Sequence, residues 1–349
     1  MAKKQSKKQR SPWIRRSIII AACLLAGIAV FFGYRLFGPN TKAFSDDKYF
    51  YVRTGSTYSD VLSGLEEQGI IRSRQGFDWV ARGMDYPSRV KPGRYKVHRG
   101  MSNFELARML RAGRQAPVKL VIRKLRTQND FVRLVARNLE ADSTALRALL
   151  NDDVYLRQYN LTPTTAMAAV MPDTYEFYWN TSASKVFDKL ATEYKTFWTP
   201  SRKEKAASFD LSPVDVTILA SIVDEETNAT DEKPTIASVY YNRLRKGMLL
   251  QADPTVKFAL QDFTLRRIRI VHTQHDSPYN TYKYKGLPPG PICTPSEKSL
   301  DAVLNMQNTN YLYFCARLDK PGYHAFAATY SEHLLNAKKY QRRMDELGL

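Results

Sequence analysis

The chain has 349 residues, 44% of them hydrophobic, and a formal net charge of +19. That length accommodates two domains with extra segments, and the apolar content suffices for a packed core. The charge draws the protein toward polyanions (nucleic acid, anionic lipid or an acidic polymer) without choosing among them, while the three cysteines, Cys23, Cys293 and Cys315, lack metal-ligand spacing.

Part of the charge sits at the start, where Lys3, Lys4, Lys7, Lys8, Arg10, Arg15 and Arg16 make residues 1–16 a basic tail. From Ser17 to Tyr34 no residue is charged. At a rise of about 1.5 Å per residue, that run is near the minimum for a spanning helix, which is expected over residues 17–37. The basic flank holds the N-terminus in the cytoplasm and sends the remainder across the inner membrane. A cleaved signal peptide would show small residues after the run, but the chain has Tyr34, Arg35, Leu36 and Phe37. A lipoprotein signal at Cys23 would leave an apolar stretch of only about six residues, short for a signal core. An uncleaved anchor is the expectation.

Residues 48–115 contain an internal repeat. YVRTGSTYSDVLSGL and YKVHRGMSNFELARML align at a roughly constant offset of 45 positions. Each copy reads as strand, glycine turn and helix, with Thr57 or Ser102 and an acid three residues on forming a capping box. Val61 and Leu65, like Leu106 and Leu110, then share a helical face. Such strand–helix units resemble LysM-like modules, which bind N-acetylglucosamine polymers. Trp79, Tyr86 and Tyr95 could stack on sugar rings, although aromatics at such spacing more often form core. The plain alternative is a spacer that holds the rest of the protein off the membrane.

Residues 118–349 mix helices and short strands without regular alternation, which implies an α+β fold. VKLVIRKL alternates like a strand. DFVRLVARNLE and STALRALLN read as amphipathic helices, the second capped by Ser143, and SASKVFDKLATEYKTFW as a further helix. In LSPVDVTILASIVDEETNAT, Ser212 caps a helix and Pro213 suits its first turn. Counting about 100° per residue from Ile218 puts Leu219, Ile222 and Val223 at about 100°, 40° and 140°, with Glu226 at about 80° among them. Asp224, at about 240°, faces water on this count, and Glu225 lies at the edge. A carboxyl turned into apolar surroundings has a raised pKa and can serve as a general acid. The competing reading is a partly buried glutamate with a structural partner.

SIVDEET, ASVYYNRLRKGMLLQADPTV, SPYNTYKYKGLPPGPICTP, NYLYF and GYHAF, in this order and with KPGRYKV and MPDTY before them, resemble the endolytic murein transglycosylase family over most of the chain. The resemblance implies cleavage of the β-1,4 bond between N-acetylmuramic acid and N-acetylglucosamine in peptidoglycan, with a 1,6-anhydro product. It makes Glu226, the last acid of SIVDEET, the catalytic residue. Two departures stand out. Asp224 and Glu225 occupy places where the family commonly has Glu and Lys, which suggests a more acidic entry to the site. HAFAATYSEHLLN also differs from the family form, which leaves His324 and His333 without a clear substrate role.

Gln251, Asp253 and Thr255 alternate in QADPTV and would point one way if extended, although Pro254 favours a loop at a strand edge. With Tyr279, Asn280, Thr281 and Tyr282 they are the expected sugar-binding residues, combining hydroxyls, amides and aromatic faces. GLPPGP reads as a stiff turn. Asp253 is the rival acid, and Asp253 or Asp276 would activate water if the enzyme were a hydrolase instead. A non-catalytic wall-binding protein is a further alternative. Nucleic acid is disfavoured by the anchor. Peptidoglycan synthases are expected partners by family analogy alone. No metal cluster or phosphate loop appears, so no cofactor is expected.

Overall fold

The computed structural model describes residues 12–42, 44, 46–317 and 319–346; the remainder of the basic tail lies outside them. The chain divides into two compact units, one running to Pro117 with Tyr178–Asn180 added, the other comprising Val118–Phe177 and Thr181 onward.

The first unit begins with helix α1 (Pro12–Phe37), which is long and apolar enough over Trp13–Phe37 to cross a membrane. Its described residues before Phe32 are exposed. Then follow β1 (Lys48–Val52), α2 (Tyr58–Glu67), α3 (Arg74–Gly83), β2 (Gly93–Val97) and α4 (Asn103–Ala112). β1 and β2 pair antiparallel, with Phe50 opposite Tyr95. The repeat is visible in detail. Thr57 and Ser102 both form capping boxes, with Asp60 and Glu105 returning the bond. Gly55 and Gly100 both take left-handed φ, +84° and +80°, a conformation that only glycine adopts cheaply. Val61, Leu65, Leu106 and Leu110 meet in one core with Phe50, Phe77 and Val80. Tyr86 and Tyr95 are fully buried in that core, so they are not sugar-stacking rings; of the three aromatics only Trp79 stays exposed.

The second unit holds β3 (Val118–Val121), α5 (Gln128–Asn138), α6 (Ser143–Leu150), α7 (Asp153–Arg157), β4 (Thr174–Phe177), α8 (Ala183–Phe197), α9 (Pro200–Ala207), α10 (Pro213–Glu226), α11 (Lys233–Arg245), α12 (Asp253–Leu260), α13 (Ile270–Thr273), α14 (Glu297–Leu304), β5 (Tyr313–Ala316), β6 (His324–Ala327) and α15 (Tyr330–Glu346). β3 pairs antiparallel with β4, and β5 with β6. The cap of α6 is Asp142, whose side chain accepts from Thr144 N, one residue before the expected Ser143.

α10 lies at the centre. Its capping box joins Ser212 to Asp215 and Pro213 fills its first turn. Every residue from Val216 to Asp224 is buried, because α9, α11, α12 and α14 all pack on it. A helix covered on all sides has no solvent face. The expectation that Asp224 faces water therefore fails, and with it the idea of a single apolar stripe: Asp224 is 5% exposed.

Candidate active site

α10 ends in three consecutive acids, Asp224, Glu225 and Glu226, and Thr227 turns extended to stop it. A helix C-terminus carries partial negative charge, so carboxylates there need compensation. The first two receive it. Lys233 Nζ and Lys124 Nζ reach Asp224 at 2.6 and 2.7 Å. Ser296 Oγ donates to it at 2.8 Å and Ser299 Oγ donates as well. Lys124 also donates to the Asp224 carbonyl at 2.8 Å, capping the helix end. Burial works to raise the Asp224 pKa, but these lysines and Ser299 outweigh it and hold the carboxyl well below the usual carboxylate range. Glu225 pairs with Arg126 at 2.9 Å. With both charges matched by cations, neither residue makes the entry acidic in the way the departure from the family suggested.

Glu226 is different. Its recorded partner is neutral: Tyr240 Oη, on α11, donates to Glu226 Oε1 at 2.6 Å. The residue keeps some exposed area, yet protein atoms crowd the carboxyl, and burial pushes its pKa up to about 7. The Tyr240 bond and Lys257 oppose that rise, while Asp253 and Glu225 add to it. Tyr240 is buried with its own pKa raised, first by burial and then by the Glu226 charge. It therefore stays protonated and remains a donor. Phe314 of β5 packs edge-on against its ring at 5.8 Å.

QADPTV does not form an extended edge. Gln251 takes a left-handed φ of +53°, and Asp253–Leu260 is helix α12 with Pro254 in its first turn, where proline is as well suited as at a strand edge. The three residues therefore do not point one way. Thr255 and Thr281 are buried and hydrogen-bonded to each other at 2.8 Å, and Thr281 Oγ1 accepts from Ala252 N at 3.0 Å. Asn280 is buried too, donating to the carbonyls of Thr273 and His275 at 2.9 and 2.7 Å. Thr255 and Thr281 thus fasten the first turn of α12 to the loop around residue 280, and Asn280 ties that loop to the end of α13. What they present is Asp253, exposed, accepting from Tyr282 Oη at 2.6 Å, and Gln251, exposed, whose Oε1 accepts from Arg243 at 3.2 Å. Tyr279 is half-buried against Phe258, ring centroids 4.6 Å apart. In GLPPGP, a Cβ on Gly290 would lie 1.9 Å from the Thr164 carbonyl oxygen, so only glycine permits that approach.

His324 is structural: its ring meets Glu232 at 3.0 Å and its backbone N–H donates to the same carboxylate at 2.9 Å. His333 stacks on Tyr313 at 5.3 Å. Cys293 and Cys315 are free thiols.

The YceG-like family model matches residues 50–339. The chain belongs to the YceG-like family. An endolytic murein transglycosylase of Bacillus subtilis is 27% identical over 332 residues, covering 91% of each chain. One from Streptococcus pneumoniae is 25% identical over 334 residues, covering 86% of this chain and 60% of its own. The crystal structure of a yceG-like protein from Listeria monocytogenes superposes with a TM-score of 0.56 at 26% identity, covering 83% of this chain and 99% of that one. The motifs thus resembled the family that the comparisons show.

In this YceG-like chain Tyr240 and Lys257 escaped the sequence reading. For Tyr240 a signal existed. Ile236, Val239, Tyr240 and Arg243 recur at helical spacing in IASVYYNRLR, and all four are buried. A tyrosine and an arginine inside an apolar stripe mark buried polar work.

Proposed function

We propose that this protein is a lytic transglycosylase that cleaves the N-acetylmuramic acid–N-acetylglucosamine β-1,4 bond of peptidoglycan and closes a 1,6-anhydro ring. The observation that carries this reading is the setting of Glu226 at the end of α10, where protein atoms crowd its carboxyl and the neutral Tyr240 donates to it at 2.6 Å, so that burial pushes its pKa up to about 7, beside two neighbouring acids that are both matched by cations. A carboxyl still largely protonated near neutrality can donate to the leaving glycosidic oxygen. Tyr240 donates to Oε1, so the proton to be transferred rests on Oε2. As the bond breaks, the muramyl sugar develops oxocarbenium character. Its own C6 hydroxyl then attacks C1, and Glu226, now ionised, takes that proton. The Tyr240 hydrogen bond favours this ionised form. One residue serves as acid and then base, and the internal nucleophile needs no separate capture.

Gln251, Asp253, Tyr279 and Tyr282 are proposed to contact sugar, with Thr255, Asn280 and Thr281 holding the segments that carry them. The LysM-like character of residues 48–115, the cytoplasmic position of the N-terminus, the inner-membrane location and an association with peptidoglycan synthases belong to the same proposal. Support for the anchor comes from Trp13–Phe37 and from the basic residues that precede it.

One observation favours a second reading. Asp253 is exposed at the start of α12, and its charge helps to raise the Glu226 pKa; a second carboxylate so placed could direct water and make the enzyme a muramidase. Digestion of purified peptidoglycan with wild type and Glu226→Gln, read by mass spectrometry, separates the two. Anhydro-muramyl ends from wild type alone support transglycosylation. Reducing ends support hydrolysis, and equal products from both proteins remove Glu226 as the acid.

A further inference from the structure

α1 does not end in a free linker. Gly38 N donates to the Tyr34 carbonyl at 2.7 Å, and Pro39 and Thr41 form bridges with Ser102 and Ile71. Asn40 N and Thr41 N donate to the Met101 carbonyl at 3.0 and 3.1 Å, and Arg72 N donates to the Asn40 carbonyl at 2.8 Å. The buried Asn40 side chain accepts from Ser73 N at 2.9 Å. Asn103 Nδ2 donates to the Arg35 carbonyl in the last turn of α1 at 3.0 Å. The exit from the helix is therefore stitched into the core of the first unit, group by group.

Side chains extend the join back along α1. Trp79 of α3 lies against Phe32, ring centroids 5.3 Å apart, and Phe104 of α4 against Phe37 at 5.7 Å. Arg35 sits over Phe31 at 5.3 Å and Arg108 over Phe104 at 5.5 Å. Despite its contact, Trp79 remains 46% exposed.

Depth follows from helix geometry. Phe32 lies sixteen residues beyond Arg16, roughly 24 Å along an α-helix. A bilayer's hydrocarbon is about 30 Å thick. With Arg16 at one boundary, Phe32 is still inside the other, and tilt brings it deeper. A ring packed on Phe32 cannot stand clear of the lipid.

We propose that the α3–α4 face of the first unit, carrying Trp79, Phe104 and Arg108 and flanked by Arg35 at the end of α1, is a lipid-contacting surface seated in the outer interface of the membrane that α1 spans. This rests on reading α1 as a membrane anchor. Indole prefers the interface, where its ring is apolar and its N–H stays hydrated. The two guanidiniums meet headgroup phosphates. The unit is then the opposite of a stand-off spacer: it lies on the bilayer. Depth is what favours lipid over a soluble protein partner, which could not reach a ring at that level.

The test uses the full chain in nanodiscs of phosphatidylcholine and phosphatidylglycerol, with or without bromine near the top of the acyl chains. The emission of Trp79 is wild type minus Trp79→Phe, and that of Trp13 is wild type minus Trp13→Phe. The proposal expects the Trp79 contribution to lose about half or more of its intensity to brominated lipid and little to aqueous iodide, as an interfacial indole should. Quenching of Trp13 by bromine, with Trp79 quenched only by iodide, overturns the lipid surface and leaves the anchor standing. If bromine quenches neither, the anchor reading fails and the proposal fails with it.

Discussion

Asp224 and Glu226 stand two residues apart at the end of one buried helix, and their surroundings drive them in opposite directions. Asp224 sits among two lysines and two serine hydroxyls and is held ionised. Glu226 sits against a tyrosine that cannot supply charge, and burial raises its pKa to about 7. Burial is the largest influence on both carboxyls. What separates them is direct pairing: two lysines touch Asp224, whereas Lys257 acts on Glu226 only through its field and too weakly to cancel burial. The first carboxylate can hold the helix end in place, and the second can exchange a proton.

The largest effect that would sharpen this contrast is loss of chemistry. Glu226→Gln should lower glycan cleavage by about a thousandfold or more, the upper part of the range for removing a proton-transfer group, while circular dichroism stays that of wild type. Substantial residual cleavage would put the acid elsewhere, with Asp253 next. Asp224→Asn should act on the fold instead. Lys233, 6% exposed, would lose its counter-charge, which costs about 3–5 kcal/mol when a buried pair is broken. The depressed pKa of Asp224 means that its stabilisation is present above the unfolded value of 3.8 and is lost as pH falls below it. The gap in thermal midpoint between wild type and Asp224→Asn should therefore close in strong acid. A constant gap would mean that Asp224 contributes through shape alone.

A third effect runs the other way with pH. Glu226 has a raised pKa, so the folded state binds more protons than the unfolded state between 4.5 and about 7, and stability falls as pH rises through that window. Glu226→Gln removes this cost. It should be more stable than wild type above pH 7 by up to about 3 kcal/mol, at roughly 1.4 kcal/mol per tenfold in proton affinity, and equal to it at pH 4. Denaturant titrations across that range check the sign. A glutamine variant that is less stable at every pH would show that Glu226 holds the fold rather than straining it.

How much of this was legible in the sequence depends on the reach of each interaction. The two capping boxes and left-handed glycines of the first unit involve neighbours within three residues, and the repeat displayed them. Helix α10 and its Ser212–Asp215 cap were equally local. Asp224 was misread because its partners come from elsewhere in the fold: Lys124 from the segment after β3, Ser299 from α14, and Lys233 from α11, which lies only nine residues on but reaches Asp224 through the packing of α11 on α10. The helical count also assumed a solvent face that α10 does not have, so it reached Glu226 without a real stripe to support it. QADPTV was misread for another reason. Proline suits both a strand edge and a first helical turn, and the left-handed Gln251 that decides between them is set by Arg243 and the Thr281 loop rather than by local sequence.

The smallest effect tests the contrast most closely. Tyr240→Phe removes the hydrogen bond to Glu226 Oε1 and keeps the ring against Phe314. That bond opposes the rise in the Glu226 pKa, so without it the carboxyl should hold its proton to higher pH. A bond of this kind contributes on the order of 1–2 kcal/mol, which corresponds to roughly one pH unit. In wild type, cleavage that needs the protonated acid declines as pH rises through about 7. In Tyr240→Phe the decline should begin higher. The rate at the plateau should drop several-fold at most, because the ionised form proposed to accept the C6 proton has lost its donor. A limb that moves to lower pH would mean that Tyr240 stabilises the protonated acid, and the assignment of donor and acceptor between the two residues would have to be reversed. An unmoved limb with unchanged rate would make Tyr240 a packing residue and leave burial alone to set the pKa of Glu226.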